Sequence, residues 1–270
     1  MKLRAKNSST TQKANRHEAN MLVDSHCHLH DKQFFDLSKT DENLAHMHEN
    51  GVDKCIVIGT DPLDSAAACE FANHHPEVWW TFGYHPNDYD GDTVKLETDL
   101  AAARALLSDK KLVAIGEIGL DYHFEGYNRE FQRDLLEHML QIAQDYKLPV
   151  SFHIREAFDD FWPIYHNFHL PTSVLHSYSD SKKNMKIGLD EGFYFGVNGL
   201  ATFADIVHPP LERIILETDA PFLTPKAFRG IMNKPGYIKN IAEWAAEYYQ
   251  VDFDEVARIT TSNVEKLFHI

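Results

Sequence analysis

The chain has 270 residues, 43% hydrophobic and 25% charged, with a net charge of −15 at pH 7. Those are the proportions of an ordinary soluble globule, and no apolar stretch approaches the roughly 20 residues that span a bilayer. The first twenty residues carry five cations against one acid, so residues 21–270 stand at −19, a body that repels polyanions at long range and disfavours a broad electrostatic grip on duplex DNA.

Residues 1–20 are polar and contain Lys2, Arg4, Lys6, Lys13 and Arg16 beside Glu18. They show no apolar core of a secretory signal and read as a disordered extension ahead of Met21. A strand is expected over 21–29, ending in Asp24-Ser25-His26-Cys27-His28. Alternate side chains of a strand share a face, so Asp24, His26 and His28 point one way and Cys27 the other. Further strands are expected over 52–59, 78–83, 112–117, 149–153, 173–176, 193–197 and 213–217. Helices are expected over 61–73, opened by Asp61-Pro62, and over 95–107, 128–146, 156–167, 181–191, 238–249 and 252–268. In the long helix 128–146 the apolar positions 131, 135, 139 and 142 mark its inner stripe.

Eight strands alternating with helices in about 250 residues predict a single α/β unit, a (β/α)₈ TIM barrel over 21–270. A doubly wound sheet would need fewer strands and a Gly-rich nucleotide loop, and neither G-x-G-x-x-G nor a Walker A sequence is present. The three cysteines, Cys27, Cys55 and Cys69, are odd in number and lack C-x-x-C spacing. This argues for the reducing cytoplasm and against a zinc–thiolate site.

The polar residues at the strand ends form a pattern. His26 and His28 end the first strand, His85 follows the third, Glu117 ends the fourth, His153 the fifth and His176 the sixth, and Asp219 follows the eighth. In a barrel these ends converge on one mouth. Each residue alone has a plainer explanation, a satisfied turn histidine or a helix cap. Together, nitrogen and oxygen donors of this mix suit Zn²⁺, Mn²⁺ or Mg²⁺. Six ligands, His26, His28, Glu117, His153, His176 and Asp219, are too many for one tetrahedral ion and fit two with a shared carboxylate. Two ions roughly 3.5–4 Å apart can hold a hydroxide between them, and the chemistry implied is hydrolysis with Asp219 taking the water's proton. Bound cations also invert the local field, so the acidic body does not exclude an enzyme that reaches one phosphate.

The segments 24–29, 83–86, 116–122, 152–155, 176–179 and 217–221, in that order, resemble the TatD-type metal-dependent deoxyribonucleases, and Ser262-Asn263 with Leu267-Phe268 resembles the last helix of that family. The resemblance covers essentially 21–270. It implies that His26, His28 and Asp219 hold one ion, that Glu117 bridges, and that His153 and His176 hold the second. It also implies Mg²⁺- or Mn²⁺-supported hydrolysis of DNA phosphodiesters, often exonucleolytic on single strands. A two-metal phosphodiesterase acting on DNA, with RNA as a second substrate class and without an obligatory protein partner, is the leading expectation. His85 would then sit near the substrate phosphate, Arg155 would clamp one of its oxygens, and Glu217 would be buried support behind a ligand. Arg155 could instead pair with Glu156. Arg229, a further expected substrate contact, opens a stretch that in the family is commonly R-G-K-R-N-x-P. Here it reads Arg229-Gly230-Ile231-Met232-Asn233-Lys234-Pro235, with two basic residues lost, and Asp180 stands where the family usually has Gly. These departures keep open a hydrolase of the same barrel group acting on a lactone, amide or acyl ester. A barrel retired from catalysis need not keep all six donors, and this chain keeps them.

Overall fold

The computed structural model describes residues 21–89 and 91–270, so the expected extension over 1–20 lies outside the described residues. The strands are β1 (Leu22–Cys27), β2 (Val52–Ile58), β3 (Val78–Phe82), β4 (Leu112–Asp121), β5 (Val150–Arg155), β6 (Val174–Leu175), β7 (Tyr194–Val197) and β8 (Ile214–Leu216). They pair in chain order and all in parallel. The last strand returns to the first. The Asp219 N–H donates to His26 O and the His28 N–H to Ala220 O, both at 2.8 Å, and Cys27 bridges Ala220. The result is the expected (β/α)₈ barrel, and its seam passes through the predicted site.

The helices are α1 (Thr40–Glu49), α2 (Pro62–His74), α3 (Thr93–Ala103), α4 (Arg129–Tyr146), α5 (Phe158–Tyr165), α6 (Lys182–Asp190), α7 (Ile238–Tyr249) and α8 (Phe253–Phe268). Their starts follow local chemistry. The Asp61 carboxylate accepts from the N–H groups of Leu63 and Asp64, with Pro62 in the first turn, and Asn128 accepts from Glu130 and Phe131. The buried stripe of α4 is Leu135, Leu136, Met139, Leu140 and Ala143. Phe131 stays 36% exposed, so the expected stripe is turned by a fraction of a helical turn. The helix α1 was not anticipated, because it is polar and buries only Thr40, Leu44 and Met47.

Two apolar layers result. Val23, Ile56, Ile58, Ala114, Val174 and Ile215 pack together inside the barrel, and Val264, Leu267 and Phe268 of α8 join them as a plug. Leu22, Cys27, Cys55 and Val57 belong to the outer layer, which packs against the helices. The β1–β2 register slips between Leu22 and Val23 and again between Asp24 and Cys27. Strict two-residue alternation therefore does not run the length of β1, although Cys27 faces the helical layer as expected.

Candidate metal centre

β1 ends at the seam and delivers His26 and His28; the chain after β8 delivers Asp219. His26 Nε2 lies 3.4 Å from Glu117 Oε2 and 3.6 Å from Asp219 Oδ1, and His28 Nε2 lies 3.5 Å from Asp219 Oδ1. His176 Nε2 is 3.8 Å from Glu117 Oε1 and 3.9 Å from Asp219 Oδ1, and its ring stacks on that of His26 at 3.6 Å. His153 Nδ1 is 2.8 Å from Glu117 Oε1. His85 Nε2 stands 4.0 Å from the same oxygen. All six predicted ligands and His85 therefore meet around Glu117; all of them except the buried His26 line a cavity of about 670 Å³ at the strands' carboxyl ends.

Three overlapping groups of ligand atoms are close enough to share an ion: His26, His28 and Glu117; His26, His176 and Asp219; and His85, Glu117 and His153. Glu117 belongs to two of them. The division that the resemblance implies is not drawn by these distances, because His176 groups with His26 and Asp219 rather than with His153. His26 supplies a test of fit. Both its ring nitrogens are buried without a hydrogen-bond partner, although two carboxylates lie within 3.6 Å. Nitrogen and carboxylate oxygen at that spacing are too far apart for each other and suitably placed for a cation between them. The donor set fits divalent ions.

The electrostatics agree. Burial would favour a neutral Glu117, yet His176 and the His153 hydrogen bond hold it well below the usual carboxylate range. Burial opposes charge on His153 too, but its bonds to Asp121 and Glu117 push it up to about 9. His176 rises to about 10, against burial, through Glu217 and Glu117. Glu117 thus stays ionised beside imidazoles that hold protons, the pairing of negative and positive charge that a cation-binding donor set needs. His85 differs. Burial and the neighbouring His153 lower it to about 4, and the Asn87 N–H donates to its Nδ1 at 3.2 Å. Neutral His85 therefore carries its proton on Nε2, which faces Glu117.

A second ring of residues orients the first. Glu217 Oε1 lies 2.9 Å from His176 Nδ1 and accepts from the Ser177 N–H and Asn198 Nδ2, which leaves His176 Nε2 turned to the cluster. A Cβ on Gly196 would stand 2.2 Å from Glu217 Oε2, so only glycine leaves room for that carboxylate. Asp121 Oδ2 is 3.0 Å from His153 Nε2 and accepts from Asn87 Nδ2, while the His123 N–H donates to Oδ1. Gln132 clamps the Asp121 backbone from α4. Asp24 is not a ligand. It accepts from the Thr218 N–H and hydroxyl, burial pushes it up to about 8, and it fastens β1 to the chain after β8.

Asp121 and Asn198 were not assigned from the sequence. Asp121 shares the strand parity of Glu117, and β4 runs on to Asp121 instead of stopping at 117; Asn198 occupies the strand-end position after β7.

The predicted substrate contacts separate. Arg155 lines the mouth with its guanidinium 5.4 Å from the Phe124 ring centroid, and Glu156 pairs with His123 instead. Arg229 does not line the cavity; it lies over Phe203 at 4.4 Å. Ile231 and Met232 are also outside the lining and exposed. Asn233, by contrast, is buried and donates to Thr218 O and Phe222 O, so it holds the turn that carries Asp219. Asp180 accepts from Asn184 and from the Ser181 N–H beside α6, away from the lining. Among the described residues no helix is long and apolar enough to cross a membrane.

The chain is similar to known proteins along nearly its whole described length. A metal-dependent hydrolase of Bacillus subtilis, YabD, described as uncharacterized, is 32% identical over 259 residues, covering 93% of this chain and all of that one. A protein of Citrobacter rodentium named 3′-5′ ssDNA/RNA exonuclease TatD is 32% identical over 247 residues, covering 85% of this chain and 92% of its own. Among solved structures, the TatD homologue YjjV of Escherichia coli superposes with a TM-score of 0.84 at 27% identity, over 92% of this chain and 98% of that one. The family model described as TatD related DNase matches residues 23–269, so the chain belongs to that family and is a metal-dependent hydrolase.

Proposed function

We propose that the protein hydrolyses phosphodiester bonds of single-stranded DNA, and of RNA, from an end, with two divalent ions, Mg²⁺, Mn²⁺ or Zn²⁺, held by His26, His28, Glu117, His153, His176 and Asp219. The carrying observation is Glu117, whose two oxygens face separate sets of imidazoles. The name of the Citrobacter relative supports the substrate. The three free, buried thiols support a cytoplasmic setting.

Bound ions supply a lowered pKa for water, from 15.7 toward about 7, and neutralise phosphate charge. The remaining work belongs to side chains. Asp219 is held ionised, against burial, by His28, His176 and His26, so it can accept the proton of the attacking water. His85, beside His153, presents its Nε2–H to a phosphate oxygen, with its tautomer fixed by the Asn87 N–H. Arg155 meets a further phosphate oxygen at the rim. Phosphodiester cleavage then needs no charged side chain to reorganise during the reaction.

The purified protein, loaded with Mn²⁺, is given end-labelled single-stranded DNA and RNA and a panel of lactones and amides. Ladders shortening from the 3′ end are expected. The exposed Ile231 and Met232, where the family has basic residues, are what favours the carbon-ester alternative. That reading replaces ours if nucleic acid stays intact while a lactone or amide turns over.

A further inference from the structure

Three large aromatic rings stand open to solvent around the mouth. Phe34 is 43% exposed, Phe222 45% and Phe124 52%, and all three line the cavity that holds the ligand cluster. Water-exposed rings gathered at one mouth mark a contact surface for a ligand. Phe222 meets Phe34 edge-on at 5.1 Å and the ligand ring of His28 at 6.0 Å. Its backbone is fixed, because the Phe222 N–H donates to Asp219 O and Asn233 Nδ2 donates to Phe222 O. On the other wall, the Arg155 guanidinium covers the Phe124 ring. Phe34 and Phe222 follow β1 and β8, whereas Phe124 follows β4 and Arg155 ends β5, half-way round the eight strands, so the ligand cluster lies between the two surfaces.

We propose that Phe34 with Phe222 on one wall, and Phe124 beside Arg155 on the other, are stacking surfaces for the unpaired nucleobases on either side of the scissile phosphate. The inference rests on the nuclease reading above and deepens it. Two apolar faces with an anion-holding cluster between them match the base–phosphate–base sequence of a single strand. Aromatic faces accept any unpaired base, because every base has a π-face, whereas a paired base shows only its edge. Charge points the same way. Asp31 and Asp88 also line the mouth, and among the described residues Arg155 is the one Lys or Arg in its lining, so these walls offer no broad basic groove and affinity beyond the ion-held phosphate falls to stacking. Binding of this kind depends only shallowly on salt, since few phosphate contacts release counterions.

The test compares an oligothymidylate with a counterpart whose two terminal residues are abasic, using the Mn²⁺-loaded protein. KM is measured on both, and Kd by fluorescence anisotropy on phosphorothioate-linked, slowly cleaved versions. The wild type should favour the base-bearing strand by roughly 5- to 150-fold for each stacked base. In Phe222→Leu combined with Phe34→Leu, and separately in Phe124→Leu, that ratio should fall toward one, while Phe222→Tyr should keep it. Thermal melting of each variant distinguishes lost stacking from lost folding. Cleavage of both strands with equal KM and Kd by the wild type, or an unchanged ratio in folded leucine variants, overturns the stacking surfaces and leaves the nuclease reading standing. No binding or cleavage of either strand, with turnover of a lactone, overturns both.

Discussion

His153 Nδ1 lies 2.8 Å from Glu117 Oε1, the separation of a hydrogen bond. The other ring nitrogen of His153 meets Asp121 at 3.0 Å. An imidazole with a carboxylate on each nitrogen is protonated, which is why His153 rises to about 9, and His176 at about 10 is charged beside it. A metal ligand must give up that proton. Loading the metal-free protein near pH 8 should therefore release about two protons, read by calorimetry as a heat that changes with the ionisation enthalpy of the buffer. Apparent affinity should climb as pH rises from 7 to 9. Heats that do not vary with buffer would show that these imidazoles are neutral before loading.

The same shifts set a stability trend of opposite sign in chelated protein. A histidine raised above its unfolded value of about 6.5 stabilises the fold fully below that value, and the contribution fades as pH rises through the folded pKa. Between pH 6.5 and about 10 the metal-free protein should lose thermal stability, since His153 and His176 shed protons only late in that window. Metal-loaded protein should gain on the metal-free form over the same range, because ligands bind the folded state alone. Melting scans with EDTA and with Mn²⁺ check both slopes.

Asp219→Asn removes the proposed proton acceptor and one donor to the cluster. Turnover should fall on the order of 10² or more, the range for losing a positioned acid–base group. Glu117→Gln should do the same and also reduce the metal content per chain, measured by elemental analysis, because its two oxygens face different groups of imidazoles. Unchanged metal content in Glu117→Gln would mean that the carboxylate is not shared between ions.

The barrel, and the meeting of the six donor residues at its mouth, were legible because most apolar runs lead into polar residues and parallel strands bring those ends together. His26, Glu117 and Asp219 could be placed by strand counting alone. What lay beyond reach depends on side-chain direction and register. Asp121 hid behind the assumption that β4 stops at Glu117, and Asn198 behind the absence of charge. Arg229 sits in a motif that suggests substrate contact, yet its guanidinium turns to Phe203. The helix α1 escaped because a lone Leu44 and Met47 make no periodic stripe.

Glu217 acts on the site only through His176, and Gly196 decides whether it can. The distance of 2.2 Å from a built Cβ to Glu217 Oε2 is shorter than any real contact. Gly196→Ala must therefore push the carboxylate away from His176 Nδ1 and from its donors Ser177 and Asn198. Loss of such an orienting carboxylate costs roughly 10- to 100-fold in metal affinity or activity. Glu217→Gln removes the charge but keeps a hydrogen-bonding side chain of the same size. Both variants should need more Mn²⁺ for half-maximal activity, and Gly196→Ala should also melt at a lower temperature, because the displaced carboxylate stays buried. If Gly196→Ala binds Mn²⁺ as tightly as the wild type while Glu217→Gln does not, the alanine is accommodated by movement of β7 and leaves Glu217 in place.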